Sequence, residues 1–196
     1  LFFLLKMNIR RPTFSDIQKI QNCNLVCLPE NYHYKYFLYH FLTWPELTYL
    51  AEDGEGNVVA YVLAKIEEES ESGHITSLSV KRTHRRLGLA KILMNLSLNS
   101  MVRVYNAKEA CLHVRVSNKA ALHLYKDSLG FQILEVEPKY YGDGEDAYSM
   151  RKSLQNISPK EFDTHAPEFD DNDKICNDLI HIVDDISPLM SNLNIN

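Results

Sequence analysis

Apolar positions recur along the first 150 residues at two spacings, and each switch between them marks the edge of an element. Asn8-Ile9-Arg10-Arg11 is a short strand candidate that Pro12 stops. Thr13 or Ser15 can cap a helix through Ile17, Ile20 and Gln21, with Asp16 favouring the dipole in its first turn. The run from Leu25 to Tyr32 is broken by Pro29, which leaves Glu30 and Tyr32 on a loop. A second helix is expected from Tyr34 to Thr43, crowded with aromatic side chains and ended by Trp44-Pro45. Leu47 to Glu52 and Val58 to Glu67 flank Asp53-Gly54-Glu55-Gly56-Asn57, a hairpin turn. Val58 to Ala64 is apolar throughout, as a strand buried on both faces would be.

After a polar connector from Glu67 to Ser72, His74 to Val80 reads as a strand. Beyond Gly88, the residues Leu89, Ile92, Leu93, Leu96 and Ser100 fall on one face of a long helix ending near Tyr105-Asn106. Ala110 to Val116 is another strand. Asn118 can cap a helix from Lys119 to Ser128 whose apolar face carries Ala121, Leu122 and Tyr125, with Gly130 as its stop. Phe131 to Val136 and Ala147 to Arg151 form a last strand pair. The order β-α-α-β-β-β-α-β-α-β-β predicts a mixed α/β domain rather than a regular βαβ repeat.

Composition locates the end of that domain. Beyond Ser153 there are nine acidic residues and two lysines, so of the chain's 26 acidic and 21 basic residues the first 152 keep 17 and 19. The acidity belongs to the tail, and a balance near neutrality with no basic run excludes a nucleic-acid-binding surface. The expected division is an extension over 1–6 (with Met7 read as a natural start), a domain over 7–152, and a largely flexible tail over 153–196. Ile175, Leu179, Ile182 and Ile186 share a helical face within that tail, for packing on the domain or for docking elsewhere.

The four cysteines, Cys23, Cys27, Cys111 and Cys176, complete no zinc-ligand spacing, so no metal is expected and free thiols in a reducing compartment are. Leu1-Phe2-Phe3-Leu4-Leu5 is too short to span a membrane and lacks the features of a signal peptide. A cytoplasmic protein is expected, with the nucleus as a second compartment and no membrane partner.

The chemistry concentrates at Arg85-Arg86-Leu87-Gly88-Leu89-Ala90, between a strand and the long helix. A turn there aims unpaired N–H groups and the positive end of the helix dipole at one spot, small residues admit a close approach, and arginines attract anions. A phosphate site is one reading; an ordinary connection with a solvated basic tip is the other. There is no Lys-Ser/Thr after a longer glycine loop and no repeated βαβ unit, as the usual nucleotide folds require.

Those six residues resemble the acetyl-CoA pyrophosphate loop of the GNAT superfamily of N-acetyltransferases. Ser117-Asn118-Lys119-Ala120-Ala121 and Leu124-Tyr125-Lys126-Asp127-Ser128-Leu129-Gly130-Phe131 are similar to the elements that follow it there. Leu28-Pro29-Glu30-Asn31-Tyr32, Gly73-His74-Ile75-Thr76-Ser77-Leu78, His113-Val114-Arg115 and Glu137-Pro138-Lys139-Tyr140-Tyr141 look like the catalytic subunits of NatA N-terminal acetyltransferase complexes. The likeness covers residues 7–152. The connector 67–72 is shorter than in familiar members, and the tail has no match.

The resemblance implies the GNAT fold, a mixed and mostly antiparallel sheet flanked by helices, with acetyl-CoA as cofactor. It implies an N-terminal α-acetyltransferase acting on small residues exposed after Met removal when paired with a helical-repeat auxiliary subunit, and on acidic N-termini when alone. Co-translational action on nascent chains at the ribosome, reached through the auxiliary subunit, is implied as well. An α-amine titrates near 8 against about 10.4 for lysine, so a positioned carboxylate and water suffice for it. Lysine acetylation is the alternative activity, and an inactive acetyl-CoA-binding scaffold a further one.

By the same resemblance Glu30 orients or deprotonates the amine, and Arg115 holds the active-site carboxylate and loops. His113, on the face of Arg115, either relays a proton or is an ordinary strand histidine. The backbone of Leu78, Ser79 and Val80 binds the pantetheine arm and offers an N–H to the oxyanion. The turn from Arg85 to Ala90 binds the pyrophosphate, and Asn118 either donates to the cofactor or caps its helix. Tyr125 protonates the departing thiolate. Leu28, Pro29, Glu30, Tyr32, His74, Thr76, Tyr140 and Tyr141 form the substrate slot, with Tyr141 also counted as catalytic.

Overall fold

The structure, a computed structural model, describes residues 7–67 and 70–155. The expectations for residues 1–6 and for the segment 175–186 lie outside them, as does the tail from residue 156 onward. The elements are β1 (Asn8–Arg10), α1 (Ile17–Cys27), α2 (Tyr34–Thr43), β2 (Tyr49–Glu52), β3 (Val58–Glu67) and β4 (Ser72–Val80), followed by α3 (Leu89–Tyr105), β5 (Glu109–Arg115), α4 (Lys119–Leu122), β6 (Gln132–Glu137) and β7 (Ala147–Ser153). Their order is the predicted one. Several boundaries shift by a residue or two, and three differences are physically informative. Pro45–Leu47 forms a short 3-10 turn, since proline presets a helical φ, and β2 starts only at Tyr49. The connector after β3 shrinks to residues 68–71, because β3 runs through Glu67 and β4 begins at Ser72. The expected single helix from Lys119 is α-helical for one turn and continues as a π-helical turn, His123–Ser128.

The sheet has seven strands in the order β1-β2-β3-β4-β5-β7-β6. Every neighbouring pair is antiparallel except β4 and β5. The apolar run of β3 serves both faces of this sheet. Tyr61 and Leu63 join Ile17, Ile20 and Phe37 of α1 and α2, whereas Val62 and Ala64 join Leu93, Met94 and Met101 of α3. Fully burying each such side chain stabilises the fold by about 1.5–3 kcal/mol. Helix α3 is more deeply buried than one apolar stripe implies, and its inward polar groups are bonded. Ser97 donates to the Leu47 carbonyl at 2.8 Å, and Ser100 shares a 2.8 Å bond with the Tyr49 hydroxyl. Gly73 lets β4 pass against α3, because a Cβ there would lie 2.2 Å from the Met101 sulfur.

One irregularity positions the site. Leu63 pairs with Ser77 and Ala64 with Ile75, so Thr76 is the extra residue of a β-bulge in β4. The parallel pairing with β5 stops at the same level: it covers Ser72–Ile75 against Glu109–Leu112 only. Beyond Ile75 and Leu112 the two strands run on to Val80 and Arg115 without pairing to each other, each still bonded to its other neighbour. The sheet is open there.

Candidate active site

A cavity of about 740 Å³ occupies this opening and reaches from the N-terminus of α3 to the loop after α1. At the α3 end it is lined by Leu78, Ser79 and Val80 of β4 and by Arg85, Arg86, Gly88, Leu89 and Ala90. Arg86 (φ +63°) and Gly88 (φ +79°) are left-handed, which curls the turn and places Gly88 at the N-cap of α3. No side chain caps that helix, so the amides of its first turn stay available to an anion. A Cβ on Gly88 would meet no protein atom within 4 Å. Arg85 is tied back by a 3.1 Å bond from Nε to the Val80 carbonyl. The side chain of Leu87, expected to belong to this site, packs on the main core instead, because an apolar side chain gains more there than in a polar mouth.

Asn118 does cap its helix, with Oδ1 accepting from the Ala121 amide at 3.1 Å, and the residue still lines the cavity. Tyr125 lines it from the π-helical turn, its ring meeting Phe131 edge-on at 6.1 Å. Burial pushes the Tyr125 phenol well above its usual range, so it stays protonated.

At the opposite end the centre is Arg115, the last residue of β5. Nε and Nη2 donate to Glu30 Oε1 at 2.8 and 2.6 Å, and Nη1 donates to Asp143 and Glu145 at 2.8 and 2.7 Å. The guanidinium also lies over the Tyr141 ring, 4.0 Å from its centroid. Bonds from Ser117 and Arg115 hold the Glu145 carboxyl down at about 2. Around this centre the walls are aromatic. Tyr140 stacks on His113 at 4.4 Å, His113 bonds Glu137 at 2.7 Å, and Tyr32 stacks on Tyr36 at 4.5 Å. Burial, with Glu30 adding to it, pushes the Tyr32 and Tyr141 phenols up, Tyr32 to about 12. Burial lowers His74 to about 4, so it is neutral at physiological pH.

The structure thus brings Leu28, Glu30, Tyr32, His74, Thr76, Arg115, Tyr125, Tyr140 and Tyr141 to one cavity. Pro29, expected in the substrate slot, is exposed and does not line the cavity; it shapes the loop. Several participants were not singled out by the sequence. Asp143 and Glu145 complete the Arg115 cluster; Gln21 and Asn24 bond the Glu30 loop, and Tyr61 bonds Asn24; His40 holds the bulge through Thr76 Oγ1 at 3.3 Å. The acid-rich spacing Asp143-Gly144-Glu145 beside the Tyr140-Tyr141 pair was the available clue for two of them. A buried asparagine in a helix offers none.

A sheet that parts between two parallel strands leaves room for an extended cofactor arm to take the place of the missing pairing, with its phosphates on a helix N-terminus. That architecture, with a carboxylate and a buried phenol lining the same cavity, is the one the resemblance to acetyl-CoA-dependent acyltransferases implies. Residues 14–131 match the Acetyltransferase (GNAT) family, and the chain belongs to it. It is 56% identical over 179 residues to an N-alpha-acetyltransferase of Caenorhabditis elegans, covering 86% of this chain and 98% of that protein. It is 59% identical over 149 residues to the N-terminal acetyltransferase A complex catalytic subunit of Arabidopsis thaliana, covering 75% and 78%. Among solved structures it resembles a chain of the NatC complex bound to Gag peptide and CoA, with a TM-score of 0.71, 26% identity, and coverage of 76% and 99%. The cofactor is acetyl-CoA, and the uncapped α3 turn and the unpaired length of β4 fit it.

Proposed function

We propose that this chain transfers the acetyl group of acetyl-CoA to the α-amine of protein N-termini, as the catalytic subunit of a NatA-type complex. One observation carries the proposal. Glu30 lines the cavity and both Arg115 bonds to it end on Oε1, so among the described residues no hydrogen bond engages Oε2, which is left to accept from an amine. The names of the two relatives, one an N-alpha-acetyltransferase and the other an N-terminal acetyltransferase catalytic subunit, support the same substrate.

Acetyl-CoA, when bound, supplies an acetyl group already activated as a thioester. The turn Arg85–Ala90 and the first amides of α3 hold its phosphates, and the unpaired edge of β4 from Leu78 to Val80 holds its arm. Glu30, fixed by Arg115, orients the α-amine and takes its proton directly or through one water; with an amine pKa near 8, a carboxylate is base enough. Tyr125 keeps a proton at its hydroxyl for the leaving sulfur. Tyr32, Tyr140 and Tyr141 wall the slot for the first residues of the peptide.

The finer reading rests on the resemblance. A helical-repeat auxiliary subunit binds the chain and brings it to the ribosome; the pair acts on small residues exposed after Met removal, and the chain alone on acidic N-termini. Its compartment is the cytoplasm, with the nucleus second. Peptides beginning Ser, Asp-Asp, Glu-Glu and Met, assayed with and without that subunit, test this. Ser is expected to lead with the partner and the acidic peptides without it. A ranking unaffected by the partner would overturn the division.

A further inference from the structure

The loop that carries Glu30 and Tyr32 has no regular secondary structure, yet its backbone is held from below by one buried side chain. Asn24 is fully buried in the last turn of α1. Its Nδ2 donates to the Glu30 carbonyl at 3.0 Å and to the Tyr61 hydroxyl at 3.0 Å, and its Oδ1 accepts from the Tyr32 amide at 3.3 Å. The Asn24 carbonyl also accepts from the Leu28 amide at 2.9 Å, where the helix ends. The orientation of the side-chain amide admits no alternative. A backbone carbonyl only accepts and a backbone N–H only donates, so a flipped amide would oppose donor to donor and acceptor to acceptor.

The other end of the network is anchored in the sheet. The Tyr61 hydroxyl accepts from Asn24, which leaves its own proton for Ser77 Oγ at 2.8 Å. Ser77 adjoins Thr76, the bulged residue at which β4 leaves β5. A continuous line of hydrogen bonds, buried at Tyr61 and part-buried at the loop, therefore runs from the cofactor strand, through β3, to the backbone on both sides of Asn31.

We propose that Asn24 is a positioning residue for catalysis: by binding the Glu30 carbonyl and the Tyr32 amide at once, it sets where the Glu30 carboxylate and the Tyr32 ring stand relative to the open edge of β4. This rests on the reading of Glu30 as the group that handles the amine. Arg115 grips the end of the Glu30 side chain and Asn24 grips its backbone, so the carboxylate is fixed from both ends. Gln21 adds a weaker hold on the same loop, with Nε2 donating to the Tyr32 carbonyl at 3.2 Å.

A double-mutant cycle on the full chain, with acetyl-CoA and a Glu-Glu-initiated peptide, tests the assignment. Asn24→Ala is expected to lower peptide kcat/KM by about tenfold or more, because small misplacements of a reacting group carry large rate penalties. The Kd for acetyl-CoA should stay within about twofold, and the same change should cost less than about twofold when Glu30→Gln is already present. Full additivity with Glu30→Gln, or an equal loss of acetyl-CoA affinity, would overturn the role. Wild-type turnover by Glu30→Gln alone would overturn the underlying reading of Glu30, a result distinct from additivity. Should Asn24→Ala not fold, Tyr61→Phe keeps the ring and removes only the hydroxyl that locks the amide. It should lower peptide kcat/KM by about threefold, and more than it weakens acetyl-CoA binding; unchanged kcat/KM there would also overturn the proposal.

Discussion

Arg115→Ala is the change whose consequence follows most closely from the geometry. The guanidinium makes four N–H···O contacts with three carboxylates and covers the Tyr141 ring, with its side chain 17% exposed. The contact with Asp143, whose side chain is 61% exposed, contributes little to positioning because solvent screens it. The pair of bonds to Glu30 Oε1 is different: both are charge-assisted and partly buried. Taking them together as about 2 kcal/mol of positional restraint, their loss lowers peptide kcat/KM by about 30-fold. Repulsion among Glu30, Asp143 and Glu145, left without their common cation, adds to that. Arg115→Lys restores a charge but only one nitrogen, which cannot face Glu30 and Glu145 together while lying over Tyr141, so it should remain about tenfold below wild type. Steady-state kinetics on a Glu-Glu-initiated peptide, with acetyl-CoA affinity measured by calorimetry, separates the effects. The phosphate turn lies at the far end of the cavity, so acetyl-CoA Kd should change by less than about twofold. Peptide kcat/KM within about twofold of wild type, or a matching loss of acetyl-CoA affinity, would refute the reasoning.

Three further outcomes are expected. Gly88→Glu forces a side chain onto a φ of +79° and puts a carboxylate where phosphate binds; acetyl-CoA Kd by calorimetry should rise by about tenfold or more, and an unchanged Kd would remove the turn from the cofactor site. Tyr125→Phe removes the buried proton donor, so single-turnover rates should fall by about tenfold or more while acetyl-CoA Kd holds; undiminished rates would make Tyr125 a packing residue. Burial holds His74 at about 4 in the folded chain against about 6.5 unfolded, so the unfolded state binds the extra proton between those values. Stability should therefore fall as pH drops from about 6.5 towards 4, by up to about 1.4 kcal/mol per pH unit from this residue. Urea unfolding at pH 6.5 and 5 measures it, and His74→Asn should flatten the slope.

Much of this molecule was legible before any coordinate. The element order follows from periodicity: the unbroken apolar run of β3 meant two covered faces, and the small residues of the Arg85–Ala90 turn marked a candidate anion site where a helix begins. What could not be read is set by tertiary context. The bulge at Thr76 depends on registering β4 against β3, and nothing in the string Ile75-Thr76-Ser77 differs from an ordinary strand. The strand order that places β7 between β5 and β6 likewise reflects long-range pairing. The π-helical turn that presents Tyr125 keeps the composition of an α-helix. At the site, Glu30, Arg115 and the tyrosines stood out because the short motifs that contain them resemble the family's. Asn24 did not, since an asparagine inside a helix reads as a mild misfit until its three partners are seen. Leu87 and Pro29 show a further limit: neighbours in a motif share its backbone path, while the Leu87 side chain packs on the core and Pro29 is exposed.

The central claim is that the acceptor is an α-amine. Two peptides decide it, one with a free α-amine and no lysine, the other with a blocked α-amine and one internal lysine, each incubated with the chain and acetyl-CoA and weighed by mass spectrometry. A gain of one acetyl group on the first and none on the second is the expected result. Undiminished acetylation of the blocked peptide would contradict the assignment.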